Sequence, residues 1–187
     1  MQALIKTAQS FGYESKLLQS VEDVNHAQKE VLVRKVKQRF GDDFKNRTFA
    51  VWGLAFKPDT DDMRESPAIT IIQSLTDAGT RINAYDPKAV REARECYLTG
   101  NEKVEYCDSK YEALKDADAL ILITEWKEFR SPDFYEIKRL LKNPVIFDGR
   151  NQYDKKRVAE YGIEYHQIGV KSYDPLSPSE RNPGVKV

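Results

Sequence analysis

The feature that most constrains the fold is a regular alternation of apolar runs and amphipathic segments between residues 45 and 169. Runs such as "RTFAVWGLAF", "TRINAYD" and "DALILIT" are typical of buried strands, and the segments between them are typical of short helices. Strands that are joined by helical crossovers pair in parallel and are covered on both faces. The alternation therefore predicts an α/β fold with a doubly wound, mainly parallel, Rossmann-like sheet.

The residues before this region have a helical pattern. A short helix is predicted over residues 2–11, and Gly12 separates it from a long helix over residues 13–40. Apolar residues recur on one face of the long helix at spacings of three and four, and they include Leu17, Val21, Val24, Val31 and Leu32. A helix of this length favours a connector or an oligomer interface, with packing on its own domain as the alternative.

The composition changes again near the end of the chain. The last residues, "VKSYDPLSPSERNPGVKV", contain three prolines and no apolar period, which predicts a flexible tail. The expected organisation is thus a helical segment over residues 1–44, an α/β domain over residues 45–169 and a tail over residues 170–187.

Charge and hydropathy exclude several classes of function. The chain has 30 basic and 30 acidic side chains, whereas a nucleic-acid binder normally has a basic excess. Its apolar runs are much shorter than a membrane span, and no leader pattern opens it, so we expect a cytoplasmic protein with no membrane partner. Cys96 and Cys107 lack the spacing of a zinc site or a disulfide framework, and we expect no metal.

Parallel sheets bind ligands beyond the carboxyl ends of their strands, so the loops there are the candidate site. A dinucleotide fingerprint needs three spaced glycines after the first strand. Only Gly53 is present, and Asp86, the acid that closes the second strand, lies 33 positions later. The sequence therefore disfavours NAD binding by this domain itself.

Cations take the place of the missing glycines in the first loop. Lys57 comes just after the strand and Arg64 just before the next helix, among acids that could fix them, namely Asp59, Asp61, Asp62 and Glu65. This arrangement suits a phosphate or diphosphate. A solvated loop that only caps the helix is the alternative.

A further cation follows a later strand in "FDGRNQY". Arg150 can point into the same crevice as Lys57, so that the two form an anion clamp. Asp148 could hold the Arg150 guanidinium or bind a ligand hydroxyl. The alternative for Arg150 is a surface ion pair.

Three other side chains have ordinary structural explanations. Trp126 in "TEWKEF" could stack on a ring of the ligand, but a lid over the sheet edge is favoured. His26 and His166 have no Ser, Cys or acid at the spacing of a catalytic relay.

The motifs "GLAFKPDTDDMRESPA", "YDP", "TEWKEF" and "FDGRNQY", in this order, resemble those of the UDP-glucose/GDP-mannose dehydrogenase family. The resemblance runs over about residues 2–169. The "FDGRN" ending is most similar to the UDP-glucose 6-dehydrogenase branch. Relatives that act on GDP-mannose or N-acetylmannosamine nucleotides share the lysine-containing loop, and they remain an alternative.

The resemblance implies a two-step, NAD-dependent oxidation of the sugar C6 hydroxyl through a cysteine. It implies that Phe56, Lys57 and Arg150 contact UDP-glucose or a related nucleotide sugar. Arg64 would reach towards NAD held by another domain, and the helix over residues 13–40 would form a homodimer.

Departures from the family pattern limit what this chain can do alone. The segment G-G-x-C-F-x-K-D, which carries the family's nucleophile, would end just before Met1, and neither Cys96 nor Cys107 lies in a matching motif. We therefore expect a C-terminal part with no catalytic residue and no activity by itself, with a separate N-terminal half as a possible partner. A non-catalytic nucleotide-sugar-binding or assembly module is the alternative.

Overall fold

A computed structural model describes residues 1–170, so the predicted tail over residues 170–187 lies outside them except for its first residue, Val170. The described chain divides into two compact units, Met1–Val31 and the residues from Leu32 onward.

The first unit consists of two helices, α1 (Gln2–Ser10) and α2 (Lys16–Lys29). Ile5 of α1 is buried, and the Gln2 side-chain amide donates to Glu22 at 2.7 Å. Helix α2 buries none of its residues. Its predicted apolar face is present but exposed, at Leu17, Val21 and Val24.

The prediction of one continuous helix over residues 13–40 is wrong. Helix α2 ends at Lys29, and α3 (Val31–Phe40) begins two residues later. The N–H of Glu30 bonds to the carbonyl of Ala27, three residues earlier, and this tighter turn interrupts the α-helical pattern.

The second unit is built on a six-stranded sheet in the order β3-β2-β1-β4-β5-β6. All five strand pairs are parallel, so the predicted parallel sheet is confirmed. The strands are β1 (Thr48–Trp52), β2 (Arg81–Tyr85), β3 (Val104–Tyr106), β4 (Ala119–Leu122), β5 (Val145–Asp148) and β6 (Glu164–Gln167).

Helices connect the strands as the sequence predicts. Ser66 caps α4 by accepting the Ala68 N–H, and Pro67 occupies the first turn, where a missing N–H costs nothing. The connecting helices are α4 (Pro67–Asp77), α5 (Val90–Glu92) with the π-helical turn Ala93–Tyr97, α6 (Lys110–Leu114), the 3₁₀ turn Lys127–Phe129, α7 (Phe134–Leu140) and α8 (Lys155–Glu160).

The strand order reverses between β1 and β4, which pair at the centre of the sheet. Because of this reversal, the carboxyl ends of β1 and β4 mark the position where a doubly wound sheet binds its ligand.

Helix α3 contributes Leu32, Val33 and Val36 to the buried core of this second unit.

Candidate functional site

The loops after β1 and β4 are pinned together at the point where the strand order reverses. Gly53 has φ +93°, and a Cβ on it would lie 2.5 Å from the Cβ of Thr124. The Thr124 hydroxyl donates to the carbonyl of Ala55 at 2.6 Å. A side chain at position 53 would push the two loops apart. Glycine is therefore needed here for the close packing of the loops, and it is not part of a glycine-rich phosphate-binding turn.

Asp86 joins the loops at the carboxyl edge of the sheet. Its buried carboxylate accepts five hydrogen bonds of 2.7–3.1 Å, from the backbone N–H groups of Leu54, Ala55, Lys88 and Ala89 and from the indole N–H of Trp126. In a dinucleotide-binding domain, the acid at this position binds a ribose hydroxyl. A carboxylate offers about four lone-pair positions, so Asp86 has none left, and this crevice does not fit NAD.

The rest of the loop after β1 is closed by its own hydrogen bonds. Phe56 N–H donates to the carbonyl of Asp62 at 2.9 Å, and the Ser66 hydroxyl donates to the carbonyl of Leu54 at 2.7 Å. Met63 fills the inside of the loop and is fully buried. Phe56 is 46% exposed and Lys57 is exposed beside it, so both are presented on a fixed loop.

Arg150 reaches the same loop from the end of β5. Its Nε donates to the carbonyl of Ile123 at 2.7 Å and lies 3.0 Å from Oε2 of Glu125. Its Nη2 lies 3.4 Å from the carbonyl oxygen of Phe56. The structure thus brings Arg150 to Phe56, and Lys57 follows Phe56 in the chain.

Asp148 does neither of the things predicted for it. It is fully buried, and its Oδ1 accepts the backbone N–H of Arg150 at 2.8 Å, not the guanidinium. Its Oδ2 accepts the Gln152 N–H at 2.7 Å and the Tyr165 hydroxyl at 2.6 Å. Burial, together with the Asp148 charge, raises the pKa of Tyr165 well above its ordinary value. Asp148 therefore fixes the turn that carries Arg150.

Asn151 completes this turn, and sequence reasoning missed it. It has φ +53°, and its side-chain amide both donates to and accepts from the backbone of Ile168, at 2.9 Å each. An Asn directly after a Gly-Arg pair at a strand end was the available signal, because Asn tolerates the left-handed region.

Arg64 lies further along the loop after β1 and is paired with Asp62. Its Nη2 and Nε donate to Oδ2 and Oδ1 of Asp62 at 2.7 and 3.0 Å, and its side chain is 80% exposed. The hydrogen bonds from Arg64 lower the pKa of the Asp62 carboxyl to about 2. The hydrogen bonds of the Arg64 guanidinium go to Asp62, so they do not join Arg64 to the contact between Arg150 and Phe56.

The remaining candidates are structural. The Trp126 indole is buried and closes the sheet edge, as predicted. His166 stacks on Phe147 with ring centres 4.6 Å apart. Burial raises the pKa of Cys107 to about 11, and partial desolvation and nearby Glu92 raise the pKa of Cys96. Neither thiol has the lowered pKa of a nucleophile.

Within residues 1–170, no three His, Cys, Asp or Glu side chains converge as a metal site would require. None of the helices described above is both long and apolar enough to span a bilayer.

Known proteins with similar sequences share this domain. The sequence model of the UDP binding domain of the UDP-glucose/GDP-mannose dehydrogenase family matches residues 50–155. The chain is 43% identical over 171 residues to a UDP-glucose 6-dehydrogenase of Pseudomonas aeruginosa, a match that covers 90% of this chain and 38% of that protein. It is 44% identical over 167 residues to a UDP-glucose 6-dehydrogenase of Rhizobium meliloti, covering 89% and 37%.

The fold is also that of a solved relative. A UDP-glucose dehydrogenase of Pyrobaculum islandicum aligns with a TM-score of 0.71 at 30% identity, covering 88% of this chain and 34% of the solved one. The chain spans between one third and two fifths of the length of these relatives. It belongs to the UDP-glucose/GDP-mannose dehydrogenase family and contains the UDP binding domain of that family.

Proposed function

We propose that this chain provides the UDP-binding part of an NAD-dependent UDP-glucose 6-dehydrogenase, which oxidises UDP-glucose to UDP-glucuronate. This proposal rests on one contact, in which Arg150 reaches the carbonyl of Phe56 in the loop that also presents Lys57. The contact lies where the strand order reverses. Cations that converge from two strands suit a diphosphate.

Each of the three residues has a distinct task in this proposal. Lys57 is an exposed, compact cation and contacts the nucleotide sugar through its phosphates. Arg150 approaches from the other side of the crevice and contacts polar groups of the ligand. Phe56, with about half of its surface exposed, offers an apolar side chain to the nucleoside.

NAD belongs to the rest of such an enzyme in this proposal, because the crevice around Asp86 does not fit it. When bound, NAD accepts the hydride from the sugar. In this proposal Arg64 would contact NAD, because its exposed guanidinium still has N–H donors beyond those held by Asp62.

The isolated chain is not expected to oxidise UDP-glucose, because neither Cys96 nor Cys107 lies in the motif that carries the family's nucleophile, and neither thiol has a lowered pKa. A chain without that nucleophile also suits the alternative, a non-catalytic nucleotide-sugar-binding or assembly module, and in either case we propose a cytoplasmic location. A separate N-terminal half that restores NAD reduction when it is mixed with this chain would favour the enzyme.

Dimerisation through residues 13–40 is part of the proposal. Leu17 and Val24 of α2 are 78% and 66% exposed, although they lie on one apolar face. A second copy of the chain would cover them.

Calorimetric titration of the chain with UDP-glucose, GDP-mannose, UDP-N-acetylmannosamine and NAD tests the proposal. We expect UDP-glucose to bind at least about tenfold more tightly than GDP-mannose, a difference of about 1.4 kcal/mol, and NAD not to bind measurably. Tighter binding of GDP-mannose would move the chain to that branch of the family, and tight binding of NAD would contradict the assignment of the crevice.

A further inference from the structure

Helix α3 contacts the turn that carries Arg150. Leu32 lies in the first turn of α3 and is 4% exposed. A Cβ on Gly149, the residue directly before Arg150, would lie 2.9 Å from Cδ1 of Leu32. Two carbon atoms in favourable contact are about 3.5–4.0 Å apart. The Leu32 methyl group therefore lies directly against this glycine and leaves no room for a side chain there.

Strand β4 makes a second contact with Gly149. The Gly149 N–H donates to the carbonyl of Leu122 at 2.9 Å, and the same oxygen would lie 3.0 Å from a Cβ at this position. The φ of Gly149 lies outside the left-handed region. Glycine is therefore required here by close contact with β4 and α3, and not by its backbone conformation.

The reach of Arg150 leaves little tolerance for a shift of this turn. Its Nη2 lies 3.4 Å from the carbonyl oxygen of Phe56, which is already longer than an ordinary hydrogen bond. Its backbone N–H is held by Asp148 at 2.8 Å, so the guanidinium moves with the turn. Because atoms around a buried cavity relax into it, removing the Leu32 methyl groups would let the turn move towards α3.

We propose that Leu32 is a positioning residue for Arg150. Through Gly149, it holds the turn where the guanidinium reaches the loop that presents Phe56 and Lys57. The affinity for a nucleotide sugar then depends on the start of α3, although Leu32 is too buried to contact the ligand. The ligand in this inference rests on the proposed function, whereas the coupling of Leu32 to Arg150 rests on the contacts alone.

The test is a double-mutant cycle on the dissociation constant of UDP-glucose, measured by titration calorimetry. Leu32→Ala should weaken binding about fivefold, and Arg150→Ala should weaken it about tenfold or more. In the Arg150→Ala background, Leu32→Ala should cause no further loss, because its effect passes through the missing guanidinium. An equal loss in both backgrounds would overturn the inference, since Leu32 would then act independently of Arg150.

Two further variants separate positioning from general packing. Val36→Ala removes methyl groups from a fully buried residue one turn further along α3, and it should lower the melting temperature but leave the affinity unchanged. Gly149→Ala places a methyl group against Leu32, so it should weaken binding, and this loss should be smaller in the Leu32→Ala background. Calorimetry is done well below the melting temperature of every variant.

The NMR signal of the Arg150 Nε–H reports the position of the guanidinium without any ligand, since this group donates to the carbonyl of Ile123 at 2.7 Å. Leu32→Ala should shift the signal and speed its exchange with water, and Val36→Ala should not. An unchanged signal in folded Leu32→Ala would overturn the inference, as would an unchanged affinity or equal changes in Val36→Ala. If the unmodified chain bound no UDP-glucose, the proposed function would be wrong, while this signal would still decide whether Leu32 positions Arg150.

Discussion

The indole N–H of Trp126 donates a hydrogen bond to Oδ2 of Asp86 at 2.9 Å. The same oxygen accepts two backbone N–H groups of the loop after β1, at Leu54 and Ala55. One carboxylate thus sets the positions of two loops, one leading to Lys57 and the other containing Glu125. An acid that binds a ribose hydroxyl in dinucleotide-binding domains is occupied here by N–H donors of the protein itself.

Asp86→Asn should destabilise the fold by about 2–4 kcal/mol, because an amide NH₂ would face N–H donors in a buried position. Urea unfolding followed by circular dichroism measures the loss. Asp61→Asn is the matched control, since Asp61 is exposed on the loop after β1 and should unfold at nearly the unmodified urea concentration. Equal stability of the two variants would contradict the role of Asp86.

Gly53→Ala should cost about 3 kcal/mol, because the new methyl group would meet Thr124 and an L-residue would adopt a positive φ. Gly100 has φ +74°, and no atom lies within 4 Å of the place that a Cβ would occupy, so Gly100→Ala should cost only the backbone term of about 1 kcal/mol. Thermal or urea unfolding of both variants separates the two contributions. Similar losses in the two variants would show that the contact with Thr124 does not matter.

The sequence was sufficient to predict the sheet and the edge where the candidate site lies. Strand runs such as "DALILIT" and the Ser66-Pro67 start of α4 are local signals, and the structure has both features. The burial of Trp126 was also favoured from its position at a strand end.

The roles of Asp86 and Asp148 could not be predicted in the same way. The donors to Asp86 come from three loops and lie as much as 40 residues from Asp86 in the chain, and no local pattern reports such a set. The break at Glu30 is equally hidden, because helical periodicity continues across it. Asp followed by Pro-Lys at position 86 does signal a turn that the side chain caps, and this explains two of the five donors.

Arg39→Ala should destabilise the chain by about 2 kcal/mol at neutral pH, because it removes hydrogen bonds of 2.7 and 2.8 Å to the buried carboxylate of Glu164. Burial raises the pKa of Glu164, but hydrogen bonds from His166 and Arg39 outweigh it and leave the pKa below the ordinary value of 4.5. A carboxyl with a lowered folded pKa stabilises the fold above its unfolded pKa, and this contribution is lost as the pH falls through the folded value.

The difference in unfolding free energy between the unmodified chain and Arg39→Ala should therefore have its largest value above pH 4.5 and should decrease at lower pH. Arg139→Ala is the control, since its pair with Glu136 is exposed and should contribute little at any pH. A difference that does not vary with pH would argue against the Arg39–Glu164 pair as its source.

Leu17→Glu should weaken self-association of the chain by roughly 100-fold or more, since it places a charge on the apolar face of α2 at its most exposed residue. Sedimentation equilibrium measures the dimer dissociation constant. Gln19→Glu adds the same charge on the opposite side of the helix and should leave association largely unchanged. An unmodified chain that stays monomeric at high concentration would contradict the proposed dimer helix.

The most direct test of the central claim is the affinity of UDP-glucose for Lys57→Ala, measured by titration calorimetry. Loss of a charge-assisted contact should weaken binding by about 1.5–3 kcal/mol, or roughly ten- to hundred-fold. Lys142→Ala removes the same charge from an exposed position before β5, at the opposite edge of the sheet, and should bind like the unmodified chain. Unchanged affinity in Lys57→Ala, or an equal loss in Lys142→Ala, would contradict a nucleotide-sugar site at the carboxyl edge of β1.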